Sequence, residues 1–281
     1  MDILSFSDLL KDRKYGETPV ILTIGVFDGV HRGHRLVLDT LDRLRRDNPG
    51  SITMAITFSM NPKSRKAGEL DTLRLRAREM SLYSVNSFTV IDFSENFSRI
   101  SAVGFAESLS QALNITHLVV GDDFRCGHPS ESADGPGFVK LLHEFGRNTE
   151  LVTVPYVLDD EGEKISSTRL RTYIVKGEIR KYLEFAGDAF RIDLDPLPCR
   201  VEEEGIVLER ISVHQLLPPP GAYDAECHLE DGKSYRCRLI LDEEFLHLRA
   251  AEGSSVSGFE KHADEIMTQK DYISIIGESV K

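Results

Sequence analysis

The sequence predicts an α/β protein, in which a mostly parallel, doubly wound sheet is followed by a small, mostly antiparallel β domain. Before residue 187, apolar strand-like runs alternate five times with helix-like runs. Such alternation is typical of a parallel sheet with right-handed crossovers. Beyond residue 187, Asp231-Gly232 separates two alternating runs, as in a β-hairpin. We therefore expect domains at 1–187 and 188–281.

The composition limits the classes of function. The chain has 281 residues, of which 41% are hydrophobic, so one large or two modest packed domains are expected. A net charge of −12 argues against nucleic acid and anionic membranes as partners. The sequence shows neither a bilayer-length apolar run nor a signal-peptide core, which predicts a cytoplasmic protein. Its four cysteines form no C-x-x-C pair and are expected to be free thiols.

The predicted elements follow in order along the first domain. Residues 1–19 indicate a short helix and a polar loop. The strand predicted at 20–24 leads into a helix with one apolar face, formed by Val37, Leu38, Leu41 and Leu44. Two helices end at Gly177 and Gly187. The remaining strands and helices are predicted at 52–58, 70–82, 88–93, 103–113, 117–120, 138–145 and 151–154.

The turn between the first of these strands and its helix reads Gly25-Val26-Phe27-Asp28-Gly29-Val30-His31-Arg32-Gly33-His34. Its glycines allow close backbone approach, and the N-terminus of the helix favours an anion such as phosphate. The two imidazoles, three residues apart, could add donors to that anion. On the residues alone, simple turn chemistry and a metal-binding histidine pair stay open as alternatives. Neither a Walker loop nor a dinucleotide fingerprint is present.

Two later stretches place polar side chains at the ends of predicted elements. Gly121-Asp122-Asp123-Phe124-Arg125-Cys126-Gly127 follows a short strand, at the sheet edge where α/β proteins bind ligands. An Asx turn is the alternative interpretation of that stretch. Ser166-Ser167-Thr168 precedes a helical pattern and supplies more hydroxyl groups than an N-cap needs.

These three stretches resemble the motifs of one enzyme family. His31-Arg32-Gly33-His34 resembles the His-x-Gly-His signature of the nucleotidylyltransferase superfamily, and the full turn at 25–34 looks like that of bacterial FAD synthetases. Residues 121–127 are similar to the family's Gly-x-Asp-Phe-x-Phe-Gly motif, with Cys126 in place of the second aromatic residue. Residues 165–171 match Ile-Ser-Ser-Thr-x-x-Arg. The resemblance implies a Rossmann-like nucleotidylyltransferase domain over residues 1–187.

The resemblance also implies a reaction and its residues. An FMN adenylyltransferase moves AMP from ATP to FMN, giving FAD and pyrophosphate, with Mg²⁺ offsetting the phosphate charge. His31, His34 and Arg171 would be catalytic, and no protein ligand for the metal is implied. Asn61 and Pro62 would bind flavin, although the family usually has histidine at the position of Asn61. The nucleotide-binding residues would be Gly25, Phe27, Asp28, Gly33, Gly121, Asp123, Ser166, Ser167 and Thr168.

Residues 188–281 depart from the family pattern. Full family members carry a riboflavin kinase barrel there, marked by a Gly-Phe-Pro-Thr-Ala-Asn loop that is absent between Arg191 and Gly221. Gly221-Ala222-Tyr223-Asp224 still resembles a strand of that barrel. We expect a shortened, degenerate kinase-like domain without riboflavin kinase activity. A flavin or nucleotide sensor and residual kinase activity are the alternatives. The expected partners are ATP, FMN and FAD, and homo-oligomer formation is left open.

Overall fold

The computed structural model describes residues 1–59, 68–93, 95–195, 197–202, 205–251, 266 and 270–278. The chain divides into two compact units. The first comprises Met1–Arg65 and Arg76–Lys164, and the second comprises Lys66–Leu75 and Ile165–Lys281. The domain boundary expected after residue 187 stays a prediction. Among the described residues, no helix is both long and apolar enough to cross a bilayer.

A six-stranded parallel sheet forms the centre of the first unit, with strand order β1-β4-β3-β2-β5-β8. A separate antiparallel pair of strands, β6 with β7, follows β5, and each of these strands has two residues. The elements in chain order are β1 (Asp2–Ser5), α1 (Phe6–Asp12), β2 (Pro19–Ile24), α2 (Arg32–Asp47), β3 (Ile52–Phe58), α3 (Leu73–Ser81), β4 (Ser87–Ile91), α4 (Glu95–Ser98), α5 (Ala102–Ala112), β5 (Asn114–Gly121), β6 (Arg125–Cys126), β7 (Ala133–Asp134), α6 (Gly135–Glu144) and β8 (Glu150–Val154).

The predicted doubly wound sheet is confirmed, and both of its faces are covered. Along β2, Val20, Leu22 and Ile24 belong to the core cluster that contains residues of α1, α5 and α6. Ile21 alternates with them and is also fully buried, as expected for a strand covered on both sides. Helix α2 packs against β2, β3 and β5 through the apolar face predicted for it.

One sequence expectation about the N-terminus is wrong. Residues 2–5 form an edge strand, β1, which pairs in parallel with β4, and helix α1 begins only at Phe6. Ser5 caps that helix by accepting a hydrogen bond from the Asp8 backbone N–H at 3.1 Å. A four-residue strand is too short to show a period, so its pairing depends on a neighbour more than 80 residues away.

The second unit contains a seven-stranded antiparallel sheet, with order β10-β11-β14-β13-β12-β15-β9, which confirms the antiparallel prediction. Two helices pack on it and share its core, which includes Leu170, Ile174, Ile179 and Tyr182. Gly177 and Gly187 end these helices in the left-handed conformation. The elements are α7 (Ser167–Lys176), α8 (Ile179–Ala186), β9 (Phe190–Asp193), β10 (Cys199–Glu202), β11 (Gly205–Glu209), β12 (Gly221–Leu229), β13 (Ser234–Leu241), β14 (Phe245–Ala250) and β15 (Lys270–Glu278).

Two smaller expectations about the chain are also confirmed. The β12–β13 hairpin closes at Asp231-Gly232, with His228 opposite Ser234 and Gly232 at φ +87°. The four cysteines are all free thiols. Burial raises the pKa of Cys126 and of Cys227 to about 12, so neither thiol is a reactive thiolate near neutral pH.

Candidate active site

The strand order of the parallel sheet reverses between β2 and β5. Strands β3 and β4 lie on one side of β2, while β5 and β8 lie on the other. Open α/β sheets bind ligands at the carboxyl edge of such a switch point, because the connections there diverge and leave a crevice. The turn at 25–31 leaves β2 at this edge, and the turn at 121–124 leaves β5 there. Two of the three predicted motifs therefore lie at the same edge of the sheet, on either side of the switch point.

The turn after β2 has an unusual backbone. Phe27 has φ +52°, one of two positive values found at non-glycine positions among the described residues, and its side chain is 2% exposed. The Phe27 ring folds back over Gly25, where an added Cβ atom would lie 3.0 Å from the ring Cζ atom. Strained backbone of this kind is found at functional sites. Gly25 and Phe27 therefore shape the turn, and their direct contact with nucleotide stays a prediction.

His31 caps helix α2 with its ring. The Nδ1 atom accepts hydrogen bonds from the backbone N–H groups of Gly33 at 3.2 Å and His34 at 3.4 Å, so the ring proton is on Nε2. A Cβ atom at Gly33 would lie 3.1 Å from Cε1 of the ring, and glycine is what lets the imidazole lie against the helix. Burial, followed by the neighbouring His34, Lys164 and Arg35, holds the pKa of His31 well below its ordinary value.

His34 stacks on His31, with ring centroids 3.9 Å apart, and also contacts the Phe27 ring, at 5.3 Å. Burial lowers the pKa of His34 to about 4, although the Asp28 carboxylate and a hydrogen bond to the Gly29 backbone act in the opposite direction. Both histidines are therefore neutral near pH 7, and one buried nitrogen of the His34 ring, Nδ1, has no hydrogen-bond partner among the described residues.

An acid and a lysine adjoin the histidines in the same unit. Lys164 forms an ion pair with Asp123 at 2.5 Å and lies 3.9 Å above the ring of Tyr156. The charge of Asp123 raises the pKa of His34 and the charge of Lys164 lowers it, which places the 121–124 turn beside the histidines. Lys164 was not among the predicted site residues, although it directly precedes the Ile-Ser-Ser-Thr run, and that adjacency is the signal that could have identified it.

The third motif, residues 165–171, belongs to the second unit. Ser166 caps helix α7, accepting from the Arg169 backbone N–H at 3.4 Å. Ser167 and Thr168 occupy the first turn, where backbone N–H groups are unpaired within the helix. Arg171 is 8% exposed and donates from Nε to the Gly68 carbonyl at 3.3 Å. The motif thus combines a helix N-terminus, hydroxyl groups and a nearly buried guanidinium.

The structure says little about the residues predicted to bind flavin or about a metal. Asn61 and Pro62 lie outside the described residues. In the part of the chain that is described, no group of three or more His, Cys, Asp or Glu side chains is arranged to hold a metal ion. The described residues therefore do not fit a resident metal centre.

Comparison with known proteins gives the family. The model of the FAD synthetase family matches residues 14–169, more than half of the 281 residues. The chain belongs to the FAD synthetase family. An FAD synthetase of Listeria monocytogenes serovar 1/2a is 31% identical over 179 residues, which cover 61% of this chain and 70% of that protein. The resemblance found in the three motifs is therefore confirmed.

Another relative is matched over a smaller share of its length. A bifunctional riboflavin kinase/FMN adenylyltransferase of Buchnera aphidicola subsp. Schizaphis graminum is 30% identical over 179 residues, covering 61% of this chain but 55% of that enzyme. The chain thus matches little more than half of this relative. Among solved structures, a macrolide-efflux protein from Streptococcus pneumoniae superposes with a TM-score of 0.73, over 100% of this chain and 93% of that one. At 18% identity this similarity shows the fold alone.

Proposed function

We propose that this chain is an FMN adenylyltransferase, which transfers AMP from ATP to FMN and releases FAD and pyrophosphate. The observation that carries the proposal is the pair of stacked, neutral histidines at the N-terminus of α2, placed at the switch point of the sheet. Membership of the FAD synthetase family supports the same reaction. The attacking FMN phosphate is already an anion, so the site must align two anions and offset their charge without a strong base.

The two histidines would bind phosphate oxygens of ATP. Both are neutral in the free protein, and an approaching phosphate favours the charged form of an imidazole, raising its pKa. The unpartnered Nδ1 atom of His34 would then take up a proton and donate it in a hydrogen bond to phosphate oxygen. His34 would stabilise the negative charge that develops on the departing pyrophosphate, while His31 keeps the helix capped.

The remaining predicted residues would bind the rest of the nucleotide. Asp123 would accept hydrogen bonds from the ribose or base, and Lys164, its ion-pair partner, would face the phosphates. The α7 N-terminus would bind the β and γ phosphates through Ser167, Arg171 and, less directly, Ser166 and Thr168. Gly25, Phe27, Asp28, Gly33 and Gly121 would shape the crevice around the nucleotide. Asn61 and Pro62 would contact flavin, and Mg²⁺ would enter as the ATP complex.

We further propose that the antiparallel sheet of the second unit does not phosphorylate riboflavin. The loop that marks the kinase barrel is missing from residues 191–221, and without it the ATP and metal of that reaction have no binding segment. The protein would act in the cytoplasm on ATP and FMN. A stable homo-oligomer is not required by this reaction.

One chromatographic assay tests these proposals. Purified full-length protein is incubated with Mg-ATP and either FMN or riboflavin, and the flavins are separated. We expect FAD from FMN and no product from riboflavin. FMN or FAD formed from riboflavin would overturn the assignment of the second unit. Retained FMN and ATP binding without pyrophosphate release would overturn the adenylyltransferase proposal and indicate a sensor.

A further inference from the structure

Helix α3 carries an arginine in a place where an apolar side chain is expected. Leu73, Arg76, Ala77 and Met80 are spaced as one face of a helix, and Arg76 is 1% exposed. A buried guanidinium is costly unless its N–H groups are bound. The acceptors of this side chain therefore indicate why the residue is an arginine.

Arg76 binds the carboxyl ends of two neighbouring strands. Its Nη1 atom donates to the carbonyl of Val26 at 3.1 Å and to that of Phe58 at 2.9 Å. The same atom lies 3.4 Å from the Thr57 hydroxyl, and Nη2 donates to the Ser59 carbonyl at 3.3 Å. One planar fork thus binds the exit of β2 and the exit of β3 together.

These carbonyls lie where the regular ladder between the two strands stops. The β2–β3 register ends with Ile24 opposite Ile56, and the Gly25 N–H still donates to the Ile56 carbonyl at 3.0 Å. Two residues further along β3, the Phe58 carbonyl receives its hydrogen bond from Arg76 instead. Because the chain leaves β2 here, a side chain must supply the donor that the strand no longer provides.

The carbonyl bound on the β2 side directly precedes the strained residue of the signature turn. Val26 is followed by Phe27 at φ +52°, and the Phe27 ring packs against His34. The Val26 carbonyl has a second donor, the hydroxyl of buried Thr57, at 2.9 Å. A strained conformation persists only where its surroundings over-determine it, and Arg76 and Thr57 supply that restraint on one peptide group.

We propose that Arg76 is a positioning residue, which holds the turn at 25–34 so that His31 and His34 meet the reacting phosphates. Its effect on turnover rests on the proposed adenylyl transfer, whereas its hold on the turn does not. A displacement of about 1 Å of a catalytic group can lower the rate about 100-fold. Lysine would keep the charge and part of the bonding, but it lacks the planar fork.

The test compares Arg76→Met, Arg76→Lys, Thr57→Val and the control Arg78→Met, which changes an exposed arginine on the same helix. Hydrogen–deuterium exchange is measured for peptides covering 25–34 and, as a reference, β5. We expect faster exchange at 25–34 in Arg76→Met, a smaller effect in Arg76→Lys and Thr57→Val, and none in Arg78→Met. Protection of β5 should be retained in the Lys and Val variants.

Turnover is measured on the same proteins. For Arg76→Met we expect kcat to fall by about 100-fold, with KM for ATP and FMN changed by less than about threefold, and partial recovery in Arg76→Lys. Unchanged exchange at 25–34, or a kcat equal to that of Arg78→Met, would overturn the proposal. If Arg76→Met does not fold, exchange at 25–34 and turnover in Arg76→Lys and Thr57→Val decide whether the proposal holds. If the wild-type protein forms no FAD, the proposed function fails, and the exchange result still decides whether Arg76 holds the turn.

Discussion

The imidazole rings of His31 and His34 lie 3.9 Å apart, with their planes inclined by 17°. Two imidazolium ions stacked at this distance would repel each other, and burial disfavours a charge on either ring. The pair is therefore neutral until an anion arrives to favour a proton. A phosphate bound here, as proposed, would favour the charged form of an imidazole, and the stacked pair leads to predictions about catalysis and about stability.

Removing the second histidine should lower catalysis without unfolding the protein. His34→Ala leaves the cap made by His31 in place and removes the unpartnered nitrogen that would follow charge onto pyrophosphate. We expect kcat for FAD formation to fall about tenfold or more, with an unchanged circular dichroism spectrum. His214→Ala, at an exposed histidine, serves as the control. Near-wild-type turnover of the His34 variant would contradict the role.

Adding one methyl group should separate stability from activity. In Gly33→Ala the new Cβ atom would lie 3.1 Å from the His31 ring, so the ring must move. Alanine suits a helix better than glycine, but the displaced His31 ring would cap α2 less well, so we expect the free energy of unfolding to change by less than about 1 kcal/mol. We expect kcat to drop about tenfold.

The matched control for this change is Gly104→Ala in helix α5. A Cβ atom there would meet Ile100 at an ordinary 3.4 Å, so kcat should be unchanged. Equal kcat values for the two glycine variants would show that the position of the His31 ring is not critical.

The stability of the protein should fall in mild acid. His34 has a pKa of about 4 in the folded protein and near 6.5 in the unfolded chain. Between these pH values the unfolded chain takes up a proton that the folded protein does not. The free energy of unfolding is therefore undiminished above pH 6.5 and falls as the pH is lowered to 4. The loss amounts to about 3 kcal/mol. Burial also lowers the pKa of His31, so its protonation reduces the free energy of unfolding in the same direction.

Urea unfolding at a series of pH values measures this effect. In His34→Gln the dependence of the unfolding free energy on pH between 4 and 6.5 should become shallower, because one titrating group has been removed. His214→Ala, which removes an exposed imidazole, is the control, and we expect its slope to stay steeper than that of His34→Gln. Identical slopes in all three proteins would mean that His34 titrates normally in the folded state.

An arginine at the start of α3 should stabilise the second unit. The guanidinium of Arg74 binds the carboxylates of Asp193 and Asp271, whose side chains are 5% and 2% exposed. In Arg74→Met both buried carboxyl groups lose this partner, and we expect the unfolding free energy to fall by about 3 kcal/mol. Arg180→Met, which removes a 75% exposed arginine paired with Glu278, should cost less than about 1 kcal/mol. Similar losses in the two variants would contradict this account.

Much of the site could be predicted from the sequence because its motifs are contiguous. The turn at 25–34 combines a strand exit, a helix start and both histidines in ten residues, so local chemistry indicates a phosphate site. The structure adds reasons for individual residues, since Gly33 makes room for a ring and Gly25 for Phe27. Lys164 directly precedes the Ile-Ser-Ser-Thr run, which is a local signal, but its ion pair with Asp123, 41 positions away, forms only in the folded chain.

By itself, the sequence determined the alternation of strands and helices that builds the parallel sheet, one hairpin of the antiparallel part, and the three motifs, because these follow from periodicity and short-range turn chemistry. Tertiary structure decided the pairing of β1 with β4, the neutral state of the two histidines and the contacts of Arg76. Each of these depends on groups far apart in the chain. Burial and strand pairing arise only when the chain is packed, and a charged residue on an apolar helix face acquires its acceptors only then.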